Sequence, residues 1–190
     1  MKWLAYTYLR LRGWKFIGEV PAEPRFIVIG APHTTNWDFV AFLAATKHWD
    51  FTPKFLGKSS LFDGPFGWVF RRLGGIPVDR SRPGGIIDRV KTEFESSEEF
   101  ALVLAPEGTR KAAEFWKSGF MKIAGATGVP VVPARLSYRR KTITMGDPVH
   151  YDGVPANLMT ELRAFYAVAE GKHPEGAGPV RIQEESSEPI

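Results

Sequence analysis

Residues 25–46, RFIVIGAPHTTNWDFVAFLAAT, decide how the chain folds. Arg25 to Gly30 read as a short buried strand, and Phe39, Phe42, Leu43 and Thr46 then recur at helical spacing. The chain turns between them. Within Ala31-Pro32-His33-Thr34-Thr35-Asn36-Trp37-Asp38 that turn lets an imidazole and a carboxylate five positions apart face each other. Asp38 can then accept from one ring nitrogen of His33 and leave the other free as a base. A second reading stands beside it: Thr35-x-x-Asp38 also matches a helix-capping pattern, with His33 merely filling a loop.

Outward from this stretch, strands and helices alternate. Pro53–Gly57 reads as a second short strand leading to Lys58, and Gly75-Ile-Pro-Val-Asp-Arg80 as an edge strand, because proline is poorly tolerated in a central one. Arg80 ends it, and arginine suits a phosphate through paired N–H groups. A helix is expected over about Gly85–Glu95, with Ile86, Ile87, Val90 and Phe94 inward. Ala101–Leu104 is a buried strand that delivers Glu107, Gly108, Thr109 and Arg110 at its carboxyl end, where open α/β sheets place ligands. The alternative for those residues is a salt-bridged surface loop.

Lys117 and Gly119 precede a helix over Phe120–Thr127 that Gly128 can stop. Val129–Leu136 is another strand, expected at an edge or bulged because of Pro130 and Pro133, and Thr142–Met145 can pair with it. Asn157–Ala169 is an amphipathic helix. The expected class is α/β: a single domain over 1–170 with a mixed, largely parallel central sheet flanked by helices, and a loose tail over 171–190.

With 190 residues the chain is long enough to bury a core without staples, and it holds no cysteine, which excludes disulfides, thiolate metal sites and a cysteine nucleophile. No other histidine (His48, His150, His173) has a spacing that completes a metal site with His33, so no metal is expected. No run is long enough for a spanning helix, and the N-terminus lacks the features of a signal peptide. A net charge of +4 suggests an anionic partner. The charge is uneven: Lys2, Arg10, Arg12 and Lys15 stand among Trp3, Leu4, Tyr6, Tyr8, Trp14 and Phe16.

Residues 1–16 are therefore expected as a helix with Leu4, Tyr8 and Leu11 along one side, suited to a lipid interface or else packed on the core. Four basic residues at an anionic leaflet would contribute about 4 kcal/mol of reversible attraction. A lipid-surface or nucleic-acid-binding module without catalysis is the rival that this charge pattern allows, but it leaves His33, Asp38 and Glu107–Arg110 unused.

Four separated stretches, in order from residue 31 to about 136, resemble the glycerolipid acyltransferase family typified by 1-acylglycerol-3-phosphate acyltransferases. His33-x-x-x-x-Asp38 is similar to its H-x-x-x-x-D motif. Lys58 through Arg80 resembles its second block, Glu107-Gly-Thr-Arg110 with Lys117-x-Gly119 its E-G-T-R block, and Val129–Pro133 its V-P-x-x-P block. Pro32, Thr35 and Pro77 stand where the family more often has asparagine, serine and phenylalanine.

The resemblance implies acyl transfer from acyl-CoA or an acyl-carrier protein to a hydroxyl of a glycerolipid acceptor, with no cofactor. It implies His33 as base and Asp38 as its support. Arg80 and Arg110 would hold the acceptor phosphate, with Lys58 and Lys117 as further candidates, and Glu107, Gly108 and Thr109 would line the same site. Nucleic acid is not an expected partner. A cytoplasmic protein, peripheral at the inner face of the membrane, would fit such substrates, with Trp3, Trp14, Phe66, Trp68 and Phe70 as candidate lipid contacts.

Overall fold

In a computed structural model that describes residues 1–78 and 83–186, the elements in chain order are α1 (Lys2–Leu11), β1 (Lys15–Ile17), β2 (Arg25–Ala31), α2 (Asp38–His48), β3 (Pro53–Lys58), α3 (Gly67–Arg72), β4 (Gly75–Val78), α4 (Pro83–Ser96), β5 (Phe100–Leu104), α5 (Gly119–Thr127), β6 (Val131–Ser137), β7 (Thr142–Met145) and α6 (Pro155–Tyr166). The strands form one seven-stranded sheet in the order β1-β7-β6-β2-β5-β3-β4. Only β6 and β7 pair antiparallel; every other neighbouring pair is parallel. The α/β class and the largely parallel sheet are as the alternation of elements predicts.

The most apolar strands lie in the middle, as a sheet covered on both faces requires. In β2, Ile27 and Ile29 are fully buried and share a core with Val90 and Phe94 of α4, Phe120 and Ile123 of α5, and Leu158 and Leu162 of α6. The alternate residues Phe26 and Val28 face the other way, with Val132, Met145, Trp49 and Phe51. On that second side α1 packs on α2 through Ala5, Leu9, Ala41, Leu43 and Ala44.

Four expectations are corrected. The helix expected over 1–16 ends at Leu11, because Gly13 turns the chain at φ +81° and Lys15–Ile17 pairs with β7. Its buried residues are Ala5 and Leu9, while Leu4, Tyr8 and Leu11 face outward.

The strand expected at an edge or bulged because of Pro130 and Pro133 is β6, and it is not at an edge, since it has neighbours on both sides. Its prolines serve as acceptors: the Pro130 carbonyl takes the N–H of Ile27, and that of Pro133 takes the N–H of Gly146. Pro133 lies just past the last residue pair of the β6–β7 ladder, Ala134 with Met145, so its missing N–H costs no bond there.

Trp14 is 7% exposed and meets Tyr138 edge-on, so it is no lipid contact. The tail is packed as far as it is described: Ile182 is buried and bridges Trp116, and Glu184 and Glu185 pair with Lys122 and Arg163. Its glycines serve close backbone approach rather than looseness. Edge strand β4 carries Pro77 as expected, whereas Arg80 lies outside the described residues.

Candidate active site

Because β6, β2, β5, β3 and β4 run parallel, their carboxyl ends share one edge of the sheet. Each end is followed by polar residues: Tyr138 after β6, His33 after β2 and Glu107 to Arg110 after β5, with Lys58 closing β3. Strands lie about 4.8 Å apart, so Lys58 stands roughly 10 Å to one side of the β2 end.

His33 and Asp38 meet. The ring Nδ1 lies 3.1 Å from Asp38 Oδ2, with the His33 side chain 32% exposed and that of Asp38 5%. The same Oδ2 accepts the backbone N–H groups of Thr34 at 2.8 Å and Thr35 at 2.9 Å. Oδ1 accepts the hydroxyl of Tyr138 at 2.7 Å. Thr35 Oγ1 in turn faces the N–H of Trp37. No side chain caps α2 at its N-cap, Trp37; the bonds from Thr34 and Thr35 instead close the turn before the helix and immobilise the carboxylate that meets the imidazole. With Nδ1 on a carboxylate, the tautomer that puts the proton there leaves Nε2 with a lone pair.

The β5 loop supplies the other wall. Glu107 is 3% exposed, and its Oε2 accepts the backbone N–H of His33 at 2.6 Å. Burial raises its carboxyl above the usual range, against the lowering effect of that hydrogen bond. Gly108 sits at φ +67°, the left-handed turn that aims Glu107 inward and leaves Thr109 and Arg110 exposed. Lys117 returns to this loop, since its N–H donates to the Pro106 carbonyl at 2.7 Å and its stem lies against Gly108.

Three features escaped the sequence reading. No motif singles out Tyr138, although it directly follows a strand whose end borders β2. Tyr166 reads as one more apolar position of α6, yet its hydroxyl donates to the Ile29 carbonyl and accepts the N–H of Ala134, spanning β2 and β6. Burial pushes both phenols far up, so both are neutral donors. The segment after α6 crosses the loop that carries His33: Gly171 packs on Thr34, and the N–H of His173 points at Thr34 Oγ1 at 3.3 Å. Among the described residues no group of three or more histidines or carboxylates could hold a metal ion.

The paired imidazole thus stands at the carboxyl edge of a largely parallel sheet. The family model described as Acyltransferase matches residues 15–137, from β1 to the end of β6. The chain belongs to the glycerolipid acyltransferase family. This acyltransferase-family chain is 28% identical over 167 residues to a 1-acyl-sn-glycerol-3-phosphate acyltransferase of Streptococcus pneumoniae, a match covering 76% of this chain and 62% of the relative. It is 36% identical over 134 residues to a chloroplastic 1-acyl-sn-glycerol-3-phosphate acyltransferase of Brassica napus, covering 67% of this chain and 38% of that one. The chain thus spans less than two thirds of the length of either relative. The crystal structure of the 1-acyl-sn-glycerophosphate acyltransferase PlsC from Thermotoga maritima shares the fold, with a TM-score of 0.56 and 22% identity over 87% of this chain and 73% of that one.

Proposed function

We propose that the chain moves a fatty acyl group from acyl-CoA or acyl-carrier protein to a hydroxyl of a glycerol-phosphate or lysophospholipid acceptor, with His33 as general base. The observation that carries this reading is the His33–Asp38 pair, bonded at 3.1 Å at the carboxyl edge of the sheet.

An alcohol has too high a pKa to lose its proton ahead of bond formation, so the base removes it as the oxygen attacks. In the step proposed here, the acceptor oxygen bonds to the thioester carbonyl carbon while its proton passes to His33 Nε2. The carbon–sulfur bond then breaks, and the proton leaves with the thiol. Asp38 stabilises the imidazolium formed between these events and holds the ring in orientation. Removal of a general base costs about 10²- to 10⁴-fold, so binding and alignment of both substrates supply the rest.

For the acceptor phosphate we assign Arg110, exposed on the β5 loop, with Lys117 beside it, Lys58 farther along the edge and Arg80 as the remaining candidate. Gly108 and Thr109 line the same loop. Glu107 serves this site chiefly by holding His33, because its one described bond is to that residue's N–H.

The substrates carry acyl chains, which fits a protein peripheral at the cytoplasmic face of a membrane. Among the described residues no helix is long and apolar enough to cross one. Trp3, Leu4, Leu11, Phe66 and Trp68 are each at least 66% exposed, and Lys2, Arg10 and Arg12 flank the first three. Amphipathic attachment of this kind is reversible.

Purified protein given acyl-CoA and 1-acylglycerol-3-phosphate is expected to release free thiol and form diacylglycerol phosphate. His33→Ala is expected to lower that rate at least about 10²-fold with its circular dichroism unchanged. Equal turnover in the variant removes His33 as the base. Binding to vesicles with no thioester consumed favours the module without catalysis.

A further inference from the structure

We propose that Tyr138 is a positioning residue for the His33–Asp38 pair, its hydroxyl on Asp38 setting how strongly the carboxylate holds the imidazole. The inference rests on the reading of His33 as base. Asp38 has two oxygens with different tasks. Oδ2 is shared by His33 Nδ1 and the N–H groups of Thr34 and Thr35, whereas Oδ1 takes the Tyr138 hydroxyl at 2.7 Å, from 100 residues away in the chain. A neutral donor on Oδ1 draws charge from the carboxylate as a whole.

The phenol is built into place. Tyr138 follows the carboxyl end of β6, its N–H donates to the Glu170 carbonyl at 3.0 Å, and the N–H of Glu170 donates back to Leu136 at 3.0 Å. The ring meets the buried indole of Trp14 edge-on, with centroids 5.1 Å apart. The backbone around Tyr138 is therefore held by Glu170 and its ring by Trp14, with its hydroxyl on Asp38.

Without the hydroxyl, the carboxylate keeps more charge on a group that is 5% exposed and binds the imidazolium more tightly. His33 then stays protonated to higher pH, and a protonated imidazole is no base. Among the described residues, charged or titratable groups near the pair include Glu107 from the β5 loop and, from the segment after α6, Lys172 over the Trp37 ring and His173 beside Thr34, while Glu170 reaches Tyr138 through its backbone. Replacing the Tyr138 hydroxyl alters none of these side chains.

The test uses the full chain with Tyr138→Phe and, separately, with 3-fluorotyrosine placed at 138, whose more acidic hydroxyl keeps the shape and strengthens the donation. Two quantities are followed: the acid limb of kcat against pH, with acyl-CoA and 1-acylglycerol-3-phosphate, and the NMR titration midpoint of the His33 ring. His173→Gln aids assignment among the four histidines.

Tyr138→Phe is expected to raise both midpoints by about half a unit to one unit and to lower kcat near pH 6 by about 3- to 10-fold, with KM changed by less than about 2-fold. Fluorotyrosine moves the midpoints the other way, and it decides the matter alone if the phenylalanine variant does not fold. A His33 midpoint unmoved by fluorotyrosine, or equally unmoved by a folded Tyr138→Phe, overturns the proposal. Should His33 prove dispensable for turnover, the base reading fails by itself, because the NMR midpoint still reports the coupling.

Discussion

The carboxylate of Glu107 accepts the backbone N–H of His33 at 2.6 Å and so ties together two loops 74 residues apart in the chain. Each loop follows a neighbouring strand of the sheet, so the bond fixes the distance between His33 and the loop that carries Arg110. Burial raises the Glu107 carboxyl above its ordinary value of 4.5. The folded chain therefore holds this proton more tightly than the unfolded one. The associated stability is fully present below the ordinary value and is lost as pH rises through the raised folded one. Glu107→Gln cannot titrate, so the stability of the native protein relative to this variant should decline as pH rises above the ordinary value of 4.5. Urea unfolding at several pH values measures it, and a difference that grows with pH contradicts this assignment.

Asp38→Asn should damage both activity and stability. The carboxylate accepts from two backbone N–H groups, one ring nitrogen and one hydroxyl, and an amide nitrogen can accept from none of them. Loss of the base's support is expected to cost about 10²- to 10⁴-fold in kcat. The mispaired donors cost about 1–3 kcal/mol in unfolding free energy. A variant with lower activity but native stability would contradict these bonds to Asp38.

Much of this could be read from the sequence where its cause is local. The unbroken apolar runs of β2 and β5 announce central strands, because a strand covered on both faces has no polar side to show. His33 and Asp38 are visible as a pair because only one turn separates them. What stayed hidden depends on partners far along the chain. Pro133 reads as an edge signal until the neighbouring strand is seen to leave the ladder just there. Trp14 among basic residues looks like an interfacial aromatic until Tyr138 is found against it. Gly171 and Gly178 look like a loose tail, but each lies where a side chain would strike another segment.

Arg110→Ala should act on binding rather than on the chemical step. A charge-assisted contact to phosphate contributes about 1.5–3 kcal/mol, which corresponds to a KM for 1-acylglycerol-3-phosphate raised by about 10- to 150-fold. Because the side chain is exposed, the variant's fold should be intact. Turnover of an acceptor without phosphate should be nearly the same in both proteins. An equal loss on both acceptors would mean that Arg110 does something other than hold the phosphate.

Leu11→Glu tests the surface attachment. Leu11 is 82% exposed at the end of α1, between Arg10 and Arg12, so the substitution removes apolar area and adds a negative charge without disturbing the core. Burying a leucine contributes about 1.5–3 kcal/mol, so partitioning onto vesicles containing anionic lipid should fall at least about 10-fold. The melting temperature should be nearly unchanged. Sedimentation with vesicles measures the first quantity, and undiminished partitioning would turn attention to the exposed Phe66 and Trp68 between β3 and β4.

Gly171→Ala tests whether the segment after α6 belongs to the site. A Cβ at this position would come within 2.6 Å of Thr34 Oγ1 and 2.8 Å of Thr34 Cγ2. Thr34 gives its N–H to Asp38 and is itself buried, so it cannot simply swing away. Either the segment lifts or the loop that carries His33 shifts, and overpacking of this kind costs about 1–3 kcal/mol. Ala at Gly125, exposed on α5 with its nearest neighbour 3.3 Å away in the Tyr151 ring, is the comparison, since a flexible ring edge can yield. The expected result is a fall in kcat of at least about 10-fold for Gly171→Ala against little change for Gly125→Ala, because a shift of about 1 Å in a reacting group can cost 10²-fold. If Gly171→Ala loses stability but turns over normally once folded, the contact only clamps the chain, and Thr34 can move without disturbing the base.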